Sequence, residues 1–160
     1  MMKVAMALVI ICAVGYADIG TGVKLRNDLF FPYAVGSIRF VTPQGIGFDG
    51  QFGFVFDGGD QFLFGGSGIF PVVATKYTSL NMTGGLTFAH TEFITDVDLL
   101  EINLSPEVEF SFPTMSELKL ELGIPLFSIG FDLENDETYI SIFAKTGQIV
   151  PVIGFHYYFL

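Results

Sequence analysis

The 160-residue chain is 51% apolar, only 15% charged, and carries a net charge of −10. Ordinary soluble domains hold about 25% charged residues, and a nucleic-acid surface is basic, so nucleic-acid binding is excluded. Nineteen glycines argue against long helices, and nineteen phenylalanines beside no tryptophan make an unusual aromatic choice.

Residues 1–17 differ from the rest. Lys3 is their only charge, and an apolar run from Val4 to Val14 follows, too short to span a bilayer as a helix of about 20 residues. Gly15-Tyr16-Ala17 then places small residues at a cleavage position. This layout predicts a secretory signal peptide over 1–17 and a domain over 18–160 that starts on Asp18. The single cysteine, Cys12, would leave with the leader, so the exported domain would have no disulfide.

From Asp18 onward the pattern has period 2, the repeat of a β-strand. Segment 18–26 sets Ile19, Val23 and Leu25 against Gly20, Gly22, Lys24 and Arg26. Segment 33–41 sets Ala34, Ile38 and Phe40 against Ser37 and Arg39. In 46–56, Phe48, Phe52 and Phe54 alternate with Asp49, Gln51 and Gly53, and Asp57-Gly58-Gly59-Asp60 is a hairpin signal. Segments 61–72 and 80–90 alternate likewise. Segment 99–112 is long for a strand, whose usual length is about 5–6 residues; it carries Leu100, Ile102 and Leu104 against Glu101, Asn103 and Ser105. The last two segments are 117–132 and 149–159.

Alternation alone leaves open whether the apolar face points in or out. The polar face is built from Gly, Ser, Thr and Asn, small groups suited to a narrow lumen, whereas a soluble exterior is rich in Lys and Glu. The strands have the length that a tilted strand needs to cross a bilayer. Aromatic residues gather near strand ends (Phe30, Phe31, Tyr33, Tyr77, Phe93, Phe110, Phe112, Tyr157, Tyr158, Phe159), as in interfacial girdles. No helix is available to cover an apolar sheet face, and a closed barrel satisfies every backbone group in hydrocarbon. The expected fold is therefore all-β: one antiparallel up-and-down transmembrane β-barrel with its apolar face to lipid.

The leader, the alternation carried to the chain end and the terminal His156-Tyr157-Tyr158-Phe159-Leu160 resemble small bacterial outer-membrane β-barrel proteins of the OmpX/OmpA-barrel type. The resemblance is architectural and covers 18–160. It implies residence in the bacterial outer membrane, contact with membrane lipids, and recognition of the last strand by the barrel-assembly machinery. Bacterial barrels have even strand numbers. Eight strands result if 117–132 is one strand and 133–148 is an extracellular excursion; breaks near Gly123 and Gly147 would give ten.

The expected function is a structural or interaction role in the cell envelope. A narrow porin-like channel is the alternative; a lipid-modifying enzyme and a soluble lipocalin-like carrier come after it. Lipid A palmitoyltransferases and deacylases resemble the chain in size and use His and Ser with a carboxylate. His90 and Glu92 could be read that way, but neither family's local motif is present, and no catalytic, cofactor or metal set is assigned. Asp57 and Asp60, and the run Asp132, Glu134, Asp136 and Glu137, read as solvated loop acids before cation ligands. One ionic cluster inside the barrel is expected, on an equal footing with the alternative that its members are separately hydrated in a wet lumen. Arg39, Glu107, Glu109, Lys119 and Glu121 all fall on the polar face near the same end, so Arg39 should reach across toward Glu107 or Glu109, with Lys119 beside the same acids.

Overall fold

The structure, a computed structural model, describes residues 18–27, 32–55, 61–92, 97–142 and 152–159. The expected leader and the hairpin signal at 57–60 lie outside the described residues. The strands are β1 (Asp18–Asn27), β2 (Pro32–Val41), β3 (Gly47–Val55), β4 (Gln61–Ala74), β5 (Thr78–Thr91), β6 (Val97–Phe112), β7 (Met115–Gly123), β8 (Phe127–Asp132), β9 (Glu137–Ile142) and β10 (Val152–Phe159).

Eight of these close on themselves in the order β1-β2-β3-β4-β5-β6-β7-β10, with every neighbouring pair antiparallel. Sequential neighbours pair throughout, except that β10 slots between β7 and β1. Three short turns lie at one end, called here the turn end. At 42–46, Thr42 N–H donates to Ile46 O, and Gly45 takes a φ of 81° that favours glycine. At 75–77, Thr75 N–H donates to Thr78 O. The third, at 113–114, joins β6 to β7. Asp18 and Phe159 lie at this end too, since Asp18 pairs with Val41 and Phe159 with Ile19.

The expected single strand 117–132 breaks. Gly123 ends β7, and β8 begins at Phe127. The cause is local: Pro125 has no N–H to give a ladder. The flanking amides still reach β6, Ile124 N–H to Pro106 O at 3.2 Å and Leu126 N–H to Leu104 O at 2.9 Å. So β8 resumes along the far half of β6, opposite Leu99–Leu104. A turn at 133–136, with Asp136 at φ 52°, then folds β9 back onto β8. The excursion expected at 133–148 thus contains a strand, and β8 and β9 stand outside the closed ring.

The barrel is inverted relative to a water-soluble one. Phe48, Phe52, Phe54, Phe64, Phe70, Ile102, Leu104, Phe155 and Phe159 are exposed on the outside. Lys24, Arg39, Asp49, Glu101, Glu107, Glu121 and His156 are buried inside. The outward rings pack along the sheet: a Cβ on Gly66 would sit 2.6 Å from the Phe48 ring, so glycine there lets the ring lie flat on the strand. Phe62, Phe64 and Phe88 form a ladder, with centroids 5.2–6.2 Å apart. Five of the buried apolar residues, Val35, Leu63, Ala89, Val97 and Leu99, gather toward the far end with Tyr139 against them, while Ile69 lies inside near the turn end.

Tyr158 does not join the girdle expected at the chain end. Tyr157 and Phe159 point out, so the pleat turns Tyr158 inward, where it is buried. Tyr77, Phe110, Phe112, Tyr157 and Phe159 do face out around the turn end. Phe30, Phe31 and Phe93 lie outside the described residues.

Candidate functional site: a charged lumen

The site grows from the strand alternation. Every second residue of β1, β2, β3, β6, β7 and β10 points inward, and near the turn end those positions carry Lys24, Arg39, Asp49, Glu107, Glu109, Lys119, Glu121 and His156. Charges in a confined interior persist when paired or hydrogen-bonded. These are paired across the barrel.

Arg39 is the hub. Its Nη1 donates to Glu109 Oε2 at 2.9 Å, and its Nη2 donates to Asp49 Oδ2 at 3.0 Å and to Glu121 Oε2. Lys24, equally buried, puts Nζ 2.7 Å from Asp49 Oδ2 and 2.6 Å from Glu121 Oε1, with Glu107 Oε2 at 3.8 Å. Glu107 is held from its other side by the Thr83 hydroxyl at 3.0 Å. Lys119 donates to Glu109 Oε1 at 2.8 Å and lies over the Tyr158 ring. Two cations therefore share Asp49 and Glu121, and no member can leave without exposing an uncompensated neighbour.

All five residues expected to cluster are thus in one network, and of the two carboxylates offered to Arg39 it is Glu109 that Arg39 meets. Arg39 meets Glu109, Glu121 and Asp49, while Glu107 turns to Lys24 and Thr83. Sequence reasoning left out Lys24, Asp49, Ser37, His156 and Tyr158. The inward positions of Lys24, Asp49, Ser37 and His156 were visible in the alternation, whereas Tyr158 was expected in the girdle; the convergence of all five depends on the stagger between strands remote in sequence.

Ser37 and His156 add a second feature. The Ser37 hydroxyl is 2.5 Å from Asp49 Oδ1 and 2.8 Å from His156 Nε2, and His156 Nδ1 faces Glu121 Oε2 at 3.7 Å. A hydroxyl, an imidazole and a carboxylate in this order follow the geometry of an activated nucleophile. Here the hydroxyl also lies against the Asp49 carboxylate, and both Ser37 and His156 are buried in the barrel wall. Gly22 makes room for it: a Cβ there would fall 2.0 Å from Phe155 O and 2.6 Å from His156 Cδ2.

Toward the far end the lumen continues with Arg26, whose Nη1 donates to Gln51 Oε1 at 2.5 Å and to Thr87 Oγ1 at 3.0 Å, with Glu101 at 3.9 Å. Toward the turn end the network floors a cavity of about 230 Å³ lined by Asp18, Arg39, Asn81, Glu109 and Lys119, with Ile69 and Pro71 on its apolar side.

The other sequence candidates stay apart. His90 sits on the outer face at the far end, 2.7 Å from Asp98 and 3.5 Å from Glu92, stacked on Phe62. Its neighbours are two carboxylates and a phenyl ring. The Asp132 carboxylate accepts from the backbone N–H groups of Glu134 and Asn135 and from the Asn135 side chain, which makes it a turn cap. Among the described residues no group of three or more His, Cys, Asp or Glu is placed to hold a metal ion. Comparison with known proteins finds no matching family model, no similar curated protein and no similar solved structure.

Proposed function

We propose that the chain is a small integral outer-membrane β-barrel protein of the bacterial envelope, exported by a leader at 1–17, with a structural or interaction role. The observation that carries this reading is the inverted barrel: phenylalanine, leucine and isoleucine outside, lysine, arginine and carboxylates inside. Water is a poor solvent for that exterior and hydrocarbon a good one. The ring of eight strands is closed, as a bilayer requires of its spans, and among the described strands only the β8–β9 hairpin beside it carries an outer edge, on β9. The spans β1, β2 and β3, of 10, 10 and 9 residues, match the length of a tilted transmembrane strand, about 9–11 residues.

The packed lumen favours a structural or interaction role over a porin-like channel. Eight strands enclose an interior that side chains fill, and here they fill it with paired charges. On this reading the turn end faces the periplasm, the lipids of both leaflets cover the outer face, and the barrel-assembly machinery is the partner during biogenesis. The test is partition and folding. The refolded chain should float with liposomes, need detergent to stay in solution, and migrate differently on gels before and after boiling. A chain that remains monomeric in plain buffer and does not float would refute the membrane reading.

A further inference from the structure

The ionic network is not the lumen's only closure. Leu63 on β4, Ala89 on β5 and Leu99 on β6 occupy one register row, since Leu63 pairs with Ala89 and Ala89 with Leu99. Val35 from β2 and Val97 from β6 pack onto that row, and Tyr139 of β9 lies against it. All five ring residues are buried, Leu63 completely. The next inward row toward the turn end changes character at once, to Thr87 and Glu101 with Arg26 and Gln51. Asp132, opposite Leu99 on β8, directs its carboxylate to the 133–136 turn. On the β2 and β4–β6 side the polar lumen is thus bordered by a patch of aliphatic side chains, with the buried Thr91 opposite Val97.

We propose that this patch is a dry seal, and that the barrel is closed twice in series, by chemistry of two kinds. The proposal rests on the membrane reading above and says what that barrel does to ions. A water molecule needs two to four hydrogen-bond partners to remain in a protein interior, and these five side chains provide none. An ion passing the patch would shed hydration on that side with nothing to replace it, and hydrophobic constrictions close pores by this route. The ionic network nearer the turn end works differently: it blocks by filling space with paired charges, and breaking a pair lets water in. Each closure suffices alone, so removing one leaves the barrel shut.

The test is ion conductance of the refolded full chain in planar bilayers, for the unmodified protein, Glu121→Gln, Leu63→Ser with Leu99→Ser, and all three changes together. Glu121→Gln alone and the two serines alone should each stay within about twofold of the unmodified protein, and the combination should conduct at least about tenfold more. Opening by Glu121→Gln alone would overturn the seal, and a combination that stays closed would overturn the two-closure scheme. Floatation and the gel shift on boiling, measured on the same samples, separate either outcome from a failure of the membrane reading itself. A second measurement covers variants that refold poorly. In detergent, a cysteine at Thr87, between the two closures, in a Cys12→Ser background, should resist a water-soluble thiol reagent. Leu63→Ala should accelerate its labelling at least about tenfold. Fast labelling with Leu63 intact, or no acceleration, would overturn the proposal.

Discussion

Arg39 on β2 and Glu109 on β6 spring from opposite walls of the barrel, and their side chains meet at 2.9 Å. Seventy positions apart in sequence, they are joined through the lumen, and Arg39 also binds Asp49 from the adjacent strand and Glu121 from β7. Arg39→Ala would leave those carboxylates facing one another in a confined space. Breaking a buried pair by removing one partner costs about 3–5 kcal/mol. The unfolding free energy in detergent or vesicles should fall by that order. Adding Glu121→Gln should restore part of it, giving a coupling energy above about 1 kcal/mol. Additive losses in the double-mutant cycle would mean that the two side chains are separately solvated.

Lys24 and Lys119 separate a buried cation from a half-exposed one. Lys24 is 1% exposed and bridges Asp49 and Glu121. The Lys119 side chain is 23% exposed and has Glu109 as its carboxylate partner. Lys24→Met should therefore cost about 3–5 kcal/mol. Lys119→Met should cost about 0–1 kcal/mol, because solvent screens its pair. Denaturation midpoints of the two variants, measured side by side, check the order. Equal losses would mean that water reaches Lys24.

Gly22 tests the wall that holds His156. A methyl group at position 22 would meet Phe155 O at 2.0 Å, backbone that cannot swing aside, so β1 and β10 would have to move apart. Overpacking of this kind costs about 1–3 kcal/mol. Gly84→Ala is the control. Its new methyl would make ordinary contact, 3.6 Å from Leu104 Cδ1, and should be nearly neutral. If Gly22→Ala proves as mild as Gly84→Ala, the close approach of His156 to β1 is relaxed in the membrane-bound chain.

The strands and their faces were legible because each depends on a local period-2 pattern that one side-chain flip would destroy. The inward set was legible for the same reason, and Arg39, Glu109, Lys119 and Glu121 could be grouped by counting from the turn end. The assignment of partners was not legible. Whether Arg39 meets Glu107 or Glu109 is decided by a stagger of one inward step across the barrel, and no local signal fixes that stagger. Asp49 was placed on the polar face of β3 but left out of the cluster, although β2 and β3 put it directly opposite Arg39. That pairing follows once the 42–46 turn sets the register. The break at 124–126 was written in Pro125, yet the amides beside it keep bonding to β6, so the run behaves as one line of pairing along β6 and as two strands in the sheet.

The outer face offers the most direct check of which solvent the barrel is built for. Phe52 on β3 and Leu104 on β6 are 45% and 42% exposed, and each is flanked in sequence by an inward residue, Gln51 and Asn103. A spin label on a cysteine at 52 or 104 should sense lipid: fast relaxation by oxygen, slow relaxation by a water-soluble nickel chelate. A label at 51 or 103 should sense little of either, because the lumen is packed. The contrast between adjacent residues matters more than either value, since it follows the pleat and no uniform burial could produce it. The pattern should extend to Phe48, Phe54, Ile102 and Leu122, which share that exposed face, and to Leu100, Leu118 and Leu120, which share it by alternation. Reversal, with 51 and 103 exposed to the chelate and 52 and 104 shielded from oxygen, would describe a barrel with its apolar face inward. Such a barrel would be water-soluble, and the charges now paired in the lumen would lie on its surface.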